Sequence, residues 1–142
     1  MKTVGELLQG KASGVQTIGP DSPVIDALRV MAGREIGALV VVDGEKLVGI
    51  QSERDYARKV ILHGKSSRDT PVREIMTARV VCVGPKGTVE ECMALMTEKR
   101  IRHLPVLEHG KLIGVLSIGD LVKEVISEQQ HTIAQLESYI HS

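Results

Sequence analysis

The chain has 142 residues, with 42% apolar, 25% charged, and 18 basic residues balanced by 18 acidic ones. That length suits one domain or two small ones with a real core, and that composition excludes disordered, collagen-like and disulfide-scaffold classes. Zero formal net charge and only Tyr56 and Tyr139 as aromatics argue against a nucleic-acid surface, which needs basic patches or stacking platforms.

In chain order, Val4-Gly5-Glu6-Leu7-Leu8 reads as a short helical lead-in. Val15-Gln16-Thr17-Ile18 follows as a short strand stopped by Gly19-Pro20. Val24, Ala27, Leu28 and Met31 then mark one apolar helix face, with Pro23 suited to its first turn. Ala38–Val42 is a continuous apolar strand, Asp43-Gly44-Glu45 a turn, and Lys46–Ile50 the return strand of a hairpin. A last helix opens at Ser52. The same order then recurs. Val80–Val83 matches the first strand, and Val89, Cys92, Met93 and Met96 match the helix face, with Thr88 and Glu91 as a capping box. Leu104–Leu107, the turn Glu108-His109-Gly110 and Lys111–Val115 match the hairpin, and Ser117 opens the last helix.

Sliding the sequence by 65 residues lays 15–60 on 80–125 without a gap, with 14 of 46 positions identical. A fainter match lays the first lead-in on Val72-Arg73-Glu74-Ile75-Met76. A repeat of this kind is the strongest organising signal in a sequence. The expected fold is therefore α/β (α+β): two β-α-β-β-α repeats related by a pseudo-twofold axis. The boundaries are 1–62 for the first repeat with its lead-in, 63–71 for a polar linker, and 72–126 for the second repeat. Residues 127–142 are expected to form a C-terminal helical extension of one or two helices, packed on a partner subunit.

Each hairpin runs into a Gly-h-x-Ser-x-x-Asp signature, Gly49-Ile50-Gln51-Ser52-Glu53-Arg54-Asp55 and Gly114-Val115-Leu116-Ser117-Ile118-Gly119-Asp120. Two such signatures at matching places resemble a tandem pair of cystathionine-β-synthase (CBS) domains, a Bateman module of the stand-alone bacterial type. The resemblance covers residues 1–126. It implies a regulatory module that binds AMP, ADP, ATP, NAD or S-adenosylmethionine in clefts between the repeats, commonly as a homodimer, and relays occupancy to an unidentified regulated protein. By that resemblance Asp55 and Asp120 hold ribose, and Ser52 and Ser117 lie near phosphate. The adenine slot falls on Thr17, Ile18, Pro20, Ile36 and Ala38, and on Cys82, Val83, Pro85, Ile101, His103 and Pro105. Gly37-Ala38 in the first repeat corresponds to Arg102-His103 in the second, so phosphate recognition is expected to be unequal. Arg54, whose counterpart is Gly119, is a second phosphate candidate.

The residues by themselves leave alternatives open. Ser-x-x-Asp at a helix start is also a capping box, and most slot positions would serve equally as core. A helix N-terminus with a hydroxyl suits phosphate, and Gly49 and Gly114 would let a ligand approach the strand backbone. No nucleophile motif, dinucleotide fingerprint, Walker loop or metal-ligand spacing is present, so neither an enzyme nor a metal site is expected. A structural homodimer that has lost its ligands is the remaining class. With or without ligand, the resemblance to small CBS pairs implies a homodimer, with Val60, Ile61, Val122, Val125 and Ile126 as the expected uncovered faces. Cys82 and Cys92 read as reduced thiols. With no apolar leader and no membrane-length run, the expected location is cytoplasmic.

Overall fold

A computed structural model describes residues 2–11 and 14–141. Its elements are α1 (Val4–Gln9), β1 (Thr17–Ile18), α2 (Val24–Arg34), β2 (Ala38–Asp43), β3 (Lys46–Ser52), α3 (Glu53–Tyr56, continuing as a π-helical turn over Ala57–Ile61), α4 (Val72–Ile75), α5 (Val89–Lys99), β4 (His103–Glu108), β5 (Lys111–Ser117) and α6 (Ile118–His141). They form two compact units. Each sequence repeat supplies most of one of them, but the lead-in helices are exchanged. The first lead-in, α1, packs with the second repeat, and α4 packs with the first.

The first-repeat unit is a three-stranded sheet in the order β1-β2-β3, covered by α2 and α4. β1 runs parallel to β2, with Thr17 opposite Val40 and Ile18 opposite Val41. β2 and β3 form an antiparallel hairpin from Ala38–Ser52 to Asp43–Lys46, with Val48 bulged out between Gly49 and Leu47. Gly44 at φ 63° makes the tight turn, a conformation that carries no steric penalty without a Cβ. Val24, Ala27 and Met31 of α2 close on Leu39 and Val41 of β2, Val60, and Val72 and Ile75 of α4. The spacing of the α2 residues is one helical face, so three side chains reach the sheet from one helix. Backbone bonds fix α4 there: Val72 N donates to Ser22 O (2.8 Å), and Thr77 and Ile50 exchange amides at 2.8 and 3.0 Å.

The second-repeat unit holds α5, β4, β5 from Ile113 onward, α6 and α1. Thr3 caps α1 in a closed box with Glu6. Val4 N and Gly5 N then donate to Gly87 O and Pro85 O at 2.8 and 2.9 Å, which seats α1 beside the start of α5. Val4, Val89, Cys92, Met96, Leu104, Val106, Leu116 and Leu121 are buried.

Four local expectations need correction. Val80–Val83 is not a strand; only Val83 bridges to Val106. In the first unit the extra rung, Thr17 with Val40, requires an amide hydrogen on residue 40. Its counterpart is Pro105, which has none, so that rung cannot form. Pro23 is the N-cap of α2 rather than its first helical residue, and at Thr88 the half of the box in which its hydroxyl accepts from Glu91 N (3.1 Å) is formed. Val60 is fully buried and Val125 half-buried, whereas Ile61, Val122 and Ile126 are exposed. Residues 118–141 form one continuous helix.

Candidate functional site

Both signatures do the same thing to the backbone. In the first unit β3 ends at Ser52 and the chain turns into α3. The Ser52 hydroxyl accepts from Asp55 N at 3.1 Å, and Asp55 Oδ2 accepts from Ser52 N at 2.9 Å. In the second, Asp120 N donates to Ser117 Oγ at 3.2 Å, and Ser117 N donates to Asp120 Oδ2 at 2.8 Å. Both are closed capping boxes. Each anchors a helix N-terminus that carries a half-buried carboxylate on its first turn.

The strand glycines make room for the exchanged lead-in segments. A Cβ at Gly49 would lie 2.5 Å from Met76 Sδ and 3.1 Å from Thr77 O. A Cβ at Gly114 would lie 2.5 Å from a methyl of Leu8. Leu8 and Met76 are matching residues of the two lead-ins, so the space without a side chain is filled by α1 in one unit and by the segment after α4 in the other.

Around each aspartate the two units differ. Asp55 Oδ1 accepts from Thr77 Oγ1 (3.3 Å) and pairs with Lys59 Nζ (3.1 Å), one turn along the same helix. Lys59 Nζ also donates to Ile75 O at 3.0 Å. The counterpart of Lys59 is Glu124, which cannot pair with a carboxylate and lies 3.5 Å from Lys2 instead. The ammonium group at Asp120 comes from Lys11, just beyond α1, with Nζ 2.8 Å from Asp120 Oδ2 and 2.6 Å from Val115 O. Partial burial pushes the Asp120 carboxyl up. It is outweighed by the hydrogen bonds from Lys11 and Ser117 N, by the Lys11 charge and by the Ser117 hydroxyl, so the carboxyl sits below its ordinary value.

The other expected residues divide cleanly between the units. Beside the first signature, Ala38 pairs with Ser52 across the hairpin, and Glu53 N donates to Gly37 O at 3.0 Å. Ile36, Gly37, Ala38, Ser52, Arg54 and Asp55 therefore meet at one end of the sheet. Thr17 and Ile18 lie one strand further out, on β1, and Pro20 O receives Arg73 N at 2.9 Å. Beside the second signature, Ile118 N donates to Arg102 O at 2.8 Å, which puts Arg102-His103 against Ser117. Arg102 and Gly119 are exposed, and Ile101 and His103 half-buried. Val83 N donates to Pro105 O at 3.0 Å, which places Val83 beside β4, with Pro105 itself buried. Cys82 and Pro85 are half-buried, and burial pushes the Cys82 thiol up, as an inert thiol would show.

Lys59, Thr77 and Lys11 touch the signature aspartates without having been singled out in the sequence. Lys59 stands four residues after Asp55, a spacing that brings side chains together on a helix. Lys11 is 109 residues from Asp120 and carries no local signal at all.

Among the described residues no helix is long and apolar enough to cross a membrane. The family model for the CBS domain matches residues 4–61 and 72–127. The chain is 41% identical over 145 aligned residues to the mitochondrial CBS domain-containing protein CBSX3 of Arabidopsis thaliana, spanning 99% of this chain and 69% of that one. A solved structure from Burkholderia ambifaria, assigned to signal transduction and containing CBS domains, superposes with a TM-score of 0.87 at 54% identity, covering 90% of this chain and 96% of that one. The hexameric CBS-CP12 protein of bloom-forming cyanobacteria superposes with a TM-score of 0.75 at 30% identity, over 84% of this chain and 70% of its own.

Proposed function

Since the chain belongs to the CBS-domain family, with two such domains in tandem, and CBS pairs are regulatory or signal-transduction modules, we propose that it senses adenosine-containing ligands at its two signatures. AMP, ADP, ATP and NAD are the favoured ligands, and S-adenosylmethionine is the alternative. Occupancy would be relayed to a partner protein from a cytoplasmic homodimer, without catalysis.

The observation that carries this reading is the grouping at each signature. At each signature a carboxylate is hydrogen-bonded within its serine cap and paired with a lysine ammonium group, at Ser52, Asp55 and Lys59 and again at Ser117, Asp120 and Lys11. A carboxylate can accept both hydroxyls of a ribose, and an ammonium group beside a helix N-terminus attracts phosphate. Binding would leave Oδ2 of each aspartate in its cap and compete for the lysine. Arg102-His103 adds a guanidinium group in the second unit only, and Arg54 adds one in the first. Adenine would lie among aliphatic side chains such as Ile18 and Ile36, or Val83 and Ile101.

The closed capping boxes also support a second reading, in which the signatures only terminate strands and the module is a structural homodimer. A thermal-shift screen with AMP, ADP, ATP, NAD and S-adenosylmethionine separates the two. A ligand at a hundredfold excess over its Kd stabilises the folded state by about 2.7 kcal/mol. The sensing reading expects a rise with at least one of these ligands; the structural reading expects none with any.

A further inference from the structure

The second half of α6 belongs to neither signature and to neither core. Every residue from Gln129 to His141 is exposed. Isolated helices shorter than roughly 12–15 residues are marginal in water, so a projecting helix of this size needs either strong local propensity or a partner. Its sequence is not that of a solvated helix. Val122, Ile126, Gln129, Ile133, Leu136 and Ile140 succeed one another in alternating steps of four and three. Five of the six are aliphatic, and those five are between 42% and 73% exposed. Alternating steps of this kind are the a/d seam of a coiled coil, with isoleucine at every a position.

The charges beside the seam say what covers it. Lys123, Gln130 and Glu137 occupy the positions that follow the d residues. In an antiparallel pair of these helices, Val122 meets the partner's Ile140, Ile126 the partner's Leu136, and Gln129 the partner's Ile133. All six seam residues are then used once on each helix. The same register sets Lys123 against the partner's Glu137 and Gln130 against the partner's Gln130. A parallel pair would instead put these flanking residues against Val125 and Thr132, with no charge matched. The antiparallel seam is also its own complement under a twofold axis, as a closed dimer requires.

We infer that α6 of a second copy of this chain covers this face, as an antiparallel coiled coil in which Lys123 pairs with the partner's Glu137. This deepens the homodimer named above and rests on self-association, not on any ligand. Four of the six seam positions lie beyond residue 127, where the match to the CBS family ends.

Sedimentation of the full chain at micromolar concentration tests it. The wild type should be a dimer. Ile133→Glu with Leu136→Glu should raise the dimer dissociation constant by at least about a hundredfold, since each of four seam side chains per dimer loses its burial. Lys123→Glu and Glu137→Lys should each weaken the dimer by roughly two- to fivefold, and the two together should restore it. That restoration also excludes misfolding as the cause of either single effect. A double glutamate variant with the wild-type dissociation constant would overturn the seam while leaving a homodimer standing. A wild type that sediments as a monomer would overturn both. Failure of the charge swap to restore association would overturn the antiparallel register.

Discussion

The two repeats solve one problem with different residues. Each ends its hairpin in a serine-aspartate cap and gives the aspartate a lysine. In the first repeat that lysine, Lys59, comes from the next turn of the same helix; in the second, Lys11 comes from the N-terminal segment. The first arrangement is local and forms with its helix. The second exists only while α1 is docked against Gly114. The repeats also diverge one residue before the serine, where Leu116 is fully buried and its counterpart Gln51 is equally buried. Both amide atoms of Gln51 lack a hydrogen-bond partner among the described residues. A duplicated signature keeps its backbone role while the side chains around it become free to differ, so the two signatures of one chain have unequal surroundings.

The buried pair breaks this comparison most sharply. Leu116→Ala should cost about 2–5 kcal/mol, the range for deleting a fully buried leucine. Gln51→Leu should move the other way, by about 1–3 kcal/mol, because it removes a buried amide whose desolvation nothing offsets. Denaturant titrations of both variants check this. A Gln51→Leu protein less stable than wild type would mean that the amide has a partner when folded in solution.

The strand glycines sharpen it further. Gly49→Ala drives a methyl toward a backbone carbonyl as well as Met76, whereas Gly114→Ala meets only the flexible end of Leu8. Thermal melts should give a loss of about 2–3 kcal/mol for the first and about 1–2 kcal/mol for the second. Equal losses would mean that the two lead-in helices are held with equal rigidity.

A smaller effect concerns the lysine supplied from a distance. The folded-state value of the Asp120 carboxyl is lowered, so its contribution to stability is full above the ordinary carboxylate value and disappears as pH falls through the lowered one. Lys11→Ala should therefore destabilise at neutral pH, and the gap from wild type should close on acidification. Both groups are partly exposed, so the gap should stay under about 1 kcal/mol. Melting temperatures measured from pH 7 down to pH 3 check it, and a gap that does not change with pH would contradict the ion pair.

Much of this was legible in the sequence because the repeat is. The hairpins, the helix faces of α2 and α5 and both Ser-x-x-Asp helix starts follow from spacing and turn residues that act locally. The exchange of α1 and α4 was not legible, since helices of six and four residues carry almost no periodicity and their partners lie far away in sequence. The missing strand at Val80–Val83 was hidden for another reason. The defect is an absent amide hydrogen on Pro105, in the neighbouring strand, and the pattern of Val80–Val83 itself is a good one. Lys11 lay hidden behind the same exchange, whereas Lys59 could have been read from its distance to Asp55.

Calorimetric titration of the full chain with AMP and with adenosine tests the central claim most directly, using wild type, Arg102→Ala and Asp55→Ala. If the signatures are unequal nucleotide sites, wild type should show two classes of AMP site per chain, or one filled and one nearly silent. Arg102→Ala should lose far more affinity for AMP than for adenosine, because a guanidinium group recognises the phosphate. Asp55→Ala should lose ten- to a hundredfold in affinity for both ligands at one site, the cost of about 1.5–3 kcal/mol for bonds to a charged acceptor. No heat with either ligand, or Asp55→Ala binding as wild type with only a lowered melting point, would show that the signatures are caps and nothing more.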